Sequence, residues 1–282
     1  MRFFIFIVTL YFKVSKNNYK FAISMKKQFK DIDISYSIKG NGETLVLLHG
    51  FLHSSKMWEE YEKEWIKNYQ VITIDLPGHG KSGVVNNISI VEMAGILNSI
   101  LEEENINKVT IIGHSLGGYV GLAFTELFPY KLDKLILLHS SAYADTDLVK
   151  KKRNLWLKII DKHPSMFVKN VIEYLYTKES LVKHKVIIDK DIEDAKKIGY
   201  LGYIEAIKAM RDRPDRIRML KENKVYIIAG LHDKVIEKET SKKQFALLIN
   251  GEGSFLKNSA HMGFIEEKEN CLFQINQYLN VR

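Results

Sequence analysis

Short, nearly continuous apolar runs alternate along most of this chain with longer stretches whose apolar positions recur at helical spacing. The runs at residues 44–48, 71–74, 109–112 and 135–138 are almost wholly apolar or β-branched, and 225–229 and 254–256 follow nearer the C-terminus. Strands of this composition are expected where both faces of a sheet are covered, which favours parallel pairing under helices. Residues 30–38 differ: Ile32, Ile34, Tyr36 and Ile38 alternate with polar residues, as in a half-buried strand. The Gly40-Asn41-Gly42 that follows reads as a hairpin signal towards 44–48. Helical candidates occupy 57–68, 90–104, 119–128 and 270–279. The alternation predicts an α/β fold: a mostly parallel sheet flanked by helices.

The alternation stops between residues 142 and 213. Apolar positions there (Leu155, Ile159, Ile160, then Phe167, Val171, Leu175) keep the helical period, and no strand pattern occurs. Residues 142–213 therefore read as an all-helical cap, inserted into a core formed by 25–141 and 214–282. Placed at the carboxyl ends of the strands, it would roof a cleft. Its run Lys150-Lys151-Lys152-Arg153 reads as a solvated helix face.

Composition changes this picture little. Apolar residues at 46% and charged residues at 27% are ordinary for a globular protein. The net charge of +8 owes four cations to residues 1–24, and removing them leaves +4. The remaining lysines are interleaved with acids, so no nucleic-acid partner is expected. The single cysteine, Cys271, excludes an intrachain disulfide and any multi-cysteine metal site. Residues 1–24 read as a leader: a dispensable segment before Met25, or a secretion signal whose apolar core is 3–12. That core is too short for a membrane span. Cytoplasmic localisation is expected unless the leader acts as a signal.

The chemistry gathers in three segments. Residues 109–118 run from a strand into Gly113-His114-Ser115-Leu116-Gly117, a G-x-S-x-G turn. Glycines at 113 and 117 relieve the crowding of a sharp strand-to-helix turn and lift Ser115 above the next helix. A serine nucleophile needs a base, and the base needs an orienting acid. Asp233 follows the run 225–229, and His261 follows the last strand-like run; both lie on loops at carboxyl ends, in the order serine, acid, histidine. Asp145 and Asp147 are rival acids. His114 reads as a packing residue, and His79 as structural or as lining the cleft edge. For the oxyanion, the donors expected are the Leu116 N–H and the Phe51 N–H, the latter aimed inward by a turn at Gly50. His49 and His53 lack a third ligand, so no metal site is expected, and no G-x-G-x-x-G or phosphate loop points to a nucleotide cofactor.

From about Ile34 onward, these motifs, with Asp75-Leu76-Pro77-Gly78-His79-Gly80 among them, resemble the α/β-hydrolase fold superfamily, in particular esterase-like members with a helical cap. The resemblance implies an eight-stranded, mostly parallel sheet, a Ser115–His261–Asp233 triad and a lid. A serine at 115 speaks against relatives that use an aspartate nucleophile. The expected function is a cofactor-independent serine hydrolase acting on a small ester-like molecule. A thioester, amide or C–C bond, a lyase resembling the menaquinone-pathway synthase, and a ligand receptor on the same fold remain alternatives.

Overall fold

The computed structural model describes residues 23–280. Eight strands form one sheet: β1 (Ile23–Phe29), β2 (Ile32–Lys39), β3 (Thr44–Leu48), β4 (Gln70–Ile74), β5 (Val109–His114), β6 (Leu132–Leu138), β7 (Val225–Gly230) and β8 (Gly253–Leu256). Their order is β1-β2-β4-β3-β5-β6-β7-β8. From β4 to β8 every pairing is parallel; β1 and β2 add an antiparallel edge. The apolar runs are buried as expected, since β3, β5 and β7 are buried along their whole length. Each fully covered Leu or Ile there contributes roughly 1.5–3 kcal/mol.

The helices among the described residues are α1 (Glu59–Trp65), α2 (Ile90–Glu103), α3 (Leu116–Leu127), α4 (Asp147–Lys162), α5 (Pro164–Tyr174), α6 (Lys178–Lys183), α7 (Lys185–Ile198), α8 (Tyr200–Asp212), α9 (Ile217–Glu222), α10 (Lys238–Phe245), α11 (Gly263–Glu266) and α12 (Lys268–Asn280). Helix α2 starts where Ser89 and Glu92 form a reciprocal capping box, and it packs on α3, which lies against β3, β5 and β6. Helices α4 to α8 all fall between β6 and β7. None of the helices is long and apolar enough to cross a membrane.

Two expectations need correction. The turn at Gly40–Gly42 does not close a hairpin, because β2 pairs with β1 and β4, while β3 lies beyond β4. These glycines have φ of 75° and 115°, and a Cβ on Gly40 would lie 2.2 Å from Tyr69 O. They allow two stretches of backbone to approach. The hairpin lies earlier, where Phe29 pairs with Ile32 across a two-residue loop. Lys30 and Asp31 both have positive φ there (47° and 64°), as a primed turn demands, without any glycine to announce it. The second correction concerns α4: Ile160 is buried, but Leu155 is 54% exposed and faces away from the core. The readings placed on residues 1–22 lie outside the described residues.

At β3 the chain order reverses, with β4 on one side and β5 on the other. Loops leaving the carboxyl ends at such a point diverge and leave a crevice. The register pairs Leu48 with Gly113, so the loop carrying Phe51 and the turn carrying Ser115 leave the sheet side by side.

Candidate active site

Ser115 stands between β5 and α3 with φ 49° and ψ −111°, a region a serine visits only under constraint. The constraint is visible on all sides. Its N–H donates to Leu138 O of the neighbouring strand at 2.9 Å, and its carbonyl accepts from Ser140 Oγ at 2.8 Å. A Cβ on Gly117 would lie 2.3 Å from Leu48 O, and one on Gly113 would lie 2.5 Å from Gly117 O. Only glycine lets β3, β5 and α3 meet this closely, and that meeting forces the strained serine outward.

Asp233 and His261 come together as their positions after β7 and β8 suggest. His261 Nδ1 donates to Asp233 Oδ2 at 2.7 Å, and both side chains are buried. Asp233 Oδ1 accepts from the N–H groups of Val235 at 2.7 Å and Ile236 at 3.0 Å. Burial alone would raise the Asp233 carboxyl, but the charge of His261 and the hydrogen bonds from His139 and His261 outweigh it. The group stands well below the ordinary carboxylate value. With the proton on Nδ1, the basic nitrogen of His261 is Nε2, on a ring that lines the same cavity as Ser115. No hydrogen bond joins Ser115 Oγ to that ring; the two share one wall of a cavity of about 30 Å³.

The loop of His261 is held from two directions. His114 Nε2 donates to His261 O at 2.9 Å, while the His261 N–H donates to Leu175 O, just beyond α5, at 2.9 Å. Glu266 ties the same pieces, accepting from Ala260 N and Thr177 N at 2.8 and 2.9 Å. The helical segment between β6 and β7 thus positions the histidine as well as covering it. His114 is a packing residue, as expected. Burial, aided by the charges of His261 and His139, pushes it well below the usual histidine value, so it is neutral.

His139 went unnoticed in the sequence. It is fully buried after β6 with φ 46°, and its Nδ1 lies 3.4 Å from Asp233 Oδ2. Its Nε2 faces the Gly263 N–H at 3.2 Å and its Nδ1 the Gly230 N–H at 3.1 Å, so backbone donors hold the ring at both nitrogens beside the carboxylate. Burial lowers this histidine against the pull of Asp233. No sequence signal marks it, because a lone histidine after a strand carries no motif. His139, Asp233 and His261 also form a compact set of metal-ligating atoms. The 2.7 Å between His261 and Asp233 is a hydrogen-bond length, whereas a tetrahedral ion with ~2 Å bonds would hold its ligands ~3.3 Å apart. A proton fits this pair better than a cation.

Of the two rival acids, Asp147 is exposed at the start of α4 and Asp145 is committed elsewhere. Asp145 accepts from Arg153 Nε at 3.1 Å and from Arg213 Nη1 at 2.6 Å. The Phe51 turn differs from expectation in its cause. Positive φ falls on Leu52 (66°), where His53 N bonds Gly50 O at 3.2 Å. Gly50 is glycine because a Cβ there would lie 2.3 Å from His114 Nδ1. Neither the Phe51 N–H nor the Leu116 N–H has an acceptor among the described residues. The Phe51 ring lines the cavity with Trp156, Leu175 and Met210 from the helical segment, stacking on Trp156 at 6.5 Å.

A serine on a strained strand-to-helix turn, beside a carboxylate-held imidazole and backbone N–H groups without acceptors, is the arrangement expected of hydrolases among α/β proteins. Residues 43–268 match the model of the α/β hydrolase fold family, and the chain belongs to that family. The chain is 34% identical over 123 residues to the 2-hydroxy-6-oxononadienedioate/2-hydroxy-6-oxononatrienedioate hydrolase of Escherichia coli K12. That match covers 41% of this chain and 43% of the relative. A Mycobacterium tuberculosis protein of unassigned activity is 33% identical over 117 residues, 41% of this chain and 34% of its own length. The matched stretch therefore spans less than half the length of these curated relatives. Among solved structures, a thermophilic esterase from Thermogutta terrifontis superposes with a TM-score of 0.84 at 22% identity, covering 92% of this chain and 98% of that one. The enol-lactonase of Burkholderia xenovorans LB400 superposes at 0.83 and 17% identity, covering 91% and 100%. At such identities the likeness concerns the fold.

Proposed function

We propose that this protein is a cofactor-independent serine hydrolase, of carboxylesterase type, for a small ester-like carbonyl substrate. The observation that carries the reading is the shared cavity of Ser115 and His261, with His261 oriented through Nδ1 by the ionised Asp233. His261 Nε2 removes the Ser115 proton as Oγ attacks the carbonyl carbon, and the N–H groups of Phe51 and Leu116 receive the oxyanion. The intermediate collapses to an ester on Ser115, and His261 returns its proton to the departing alkoxide. Water, deprotonated by the same nitrogen, then releases the acid and regenerates the serine. Residues 142–213 act as the cap that walls the cleft.

Ser115→Ala is expected to abolish hydrolysis of a short-chain p-nitrophenyl ester while the melting temperature holds within a few degrees. Turnover that survives in that variant rejects the mechanism. A second reading, cleavage of a C–C bond beside a ketone with the same residues, is favoured by the partial likeness to the Escherichia coli hydrolase. A ketone-substrate panel run beside the ester panel separates the two.

A further inference from the structure

Helix α4 turns Lys150, Lys151 and Lys152 to solvent, yet Arg153 is only 7% exposed. A guanidinium presents five N–H donors, which seek acceptors or water wherever they lie. Nε has one, Asp145 Oδ2 at 3.1 Å. The other carboxylate oxygen is taken by Arg213, which also donates to Met210 O and Tyr143 O and lies 3.8 Å over the Tyr119 ring. Among the described residues, neither Nη group of Arg153 has an acceptor; the residue as a whole is more than nine-tenths buried, yet neither nitrogen is wholly shut off from solvent. Its guanidinium sits 5.1 Å from the Trp156 ring and lines the cavity of Ser115 and His261. It also lines a wider vestibule of about 480 Å³. Two guanidiniums against one carboxylate leave one positive charge uncompensated there. At the rim Lys152, Lys234 and Lys243 outnumber Glu237.

We infer that Arg153 is a specificity residue for an anionic substrate: an ester-like carbonyl compound that also carries an ionised carboxylate. This rests on the hydrolase reading above. The open edge of the guanidinium, with one donor from each Nη, matches the two oxygens of a carboxylate, and the single surplus charge matches a monoanion better than a phosphate dianion. The lysine rim raises the local concentration of such a ligand and makes its capture sensitive to salt.

The test compares methyl hydrogen adipate with its neutral isostere, the methyl ester of adipamic acid, by pH-stat. In the wild-type protein the acid is expected to exceed the amide at least tenfold in kcat/KM, carried by KM and shrinking in 0.5 M salt. Arg153→Met should bring that ratio close to one, and Arg153→Lys should keep part of it. A wild-type ratio near one, or a ratio unchanged in Arg153→Met, overturns the inference. Calorimetry on Ser115→Ala keeps the test independent of turnover: adipate should bind, and binding should weaken at least tenfold when Arg153→Met is added. If adipate binds in this Arg153-dependent way but neither ester turns over, the hydrolase reading fails and the anion site stands. If the neutral ester turns over but adipate does not bind, the reverse holds.

Discussion

The loop cluster at the carboxyl ends of the sheet and the helical segment between β6 and β7 treat polar groups in opposite ways. In the loop cluster the charged carboxylate and the backbone around it are closely held, although buried His114 Nδ1 and Ser259 Oγ find no partner among the described residues. Asp233 accepts from two backbone N–H groups and one imidazole, with a second imidazole nearby, and the carbonyls of Ser115 and His261 are held by side chains. In the helical segment Arg153 is buried with two nitrogens unanswered, and Val182 and Val186 are about four-fifths exposed. Under the function and the anion site proposed above, the difference separates two tasks. Bond-breaking needs groups fixed before substrate arrives, so the fold completes them. Selection needs groups completed by the substrate, so the fold leaves them open.

That contrast predicts effects of different size and kind. The largest belongs to the closed cluster. His261→Ala should lower kcat for a short-chain ester by about a thousandfold or more, with little change in KM. A loss below tenfold would remove this imidazole from the chemistry. Asp233→Asn follows, expected to cost about 10² to 10⁴ in kcat, because an amide no longer selects the Nδ1–H tautomer. An equal loss of secondary structure by circular dichroism would assign Asp233 to folding instead.

Backbone closeness makes the third case. Gly117→Ala forces a methyl group against Leu48 O and is expected to destabilise by about 3 kcal/mol in urea unfolding. A variant as stable as the parent would mean that β3 and α3 are not locked together as described.

Acid should weaken the same region by a similar amount. Burial lowers His49 to about 4 and His79 to about 3. The unfolded chain, titrating near 6.5, therefore binds more protons below that pH, so stability is intact above 6.5 and falls as the pH drops. For His49 the loss approaches ~3 kcal/mol near pH 4. A urea midpoint that stays level between pH 7 and pH 4.5 would contradict buried, neutral imidazoles. Asp233, lowered by its partners, loses its contribution only below the ordinary carboxylate range, so the two effects separate along the pH axis.

The smallest effect is a control. Gly95, within α2, has open space where a Cβ would go, and Gly95→Ala should stabilise by about 0.5–1 kcal/mol. Destabilisation would show that α2 packs more tightly there than the structure indicates.

The sequence disclosed features whose cause is local. The apolar runs mark the interior strands within a few residues of their ends, since a strand covered on both faces has no room for polar side chains. The turn around Ser115 was legible because glycine has no substitute where Gly113 and Gly117 touch backbone. Features caused by distant partners stayed hidden. The edge strand β1 carries lysines among its apolar positions, and its turn uses Lys30 and Asp31 where a glycine would have been the signal. His139 matters only because the order of β6, β7 and β8 brings it beside Asp233. Arg153 looked like the fourth member of a solvated basic run, and one step of about 100° around the helix turned it inward.

By itself, then, the order of residues determined a parallel α/β core, a constrained serine and two loops able to supply a base and an acid. Those follow from pleat, helix period and glycine sterics, all of which act over a few neighbouring positions. Tertiary structure alone decided which acid lies against His261, that a second imidazole stands near the same carboxylate, and that a guanidinium lines the cavity with both Nη groups open. Each of these depends on chain segments dozens of residues apart meeting in three dimensions, where burial and charge are set by neighbours that a linear pattern does not contain.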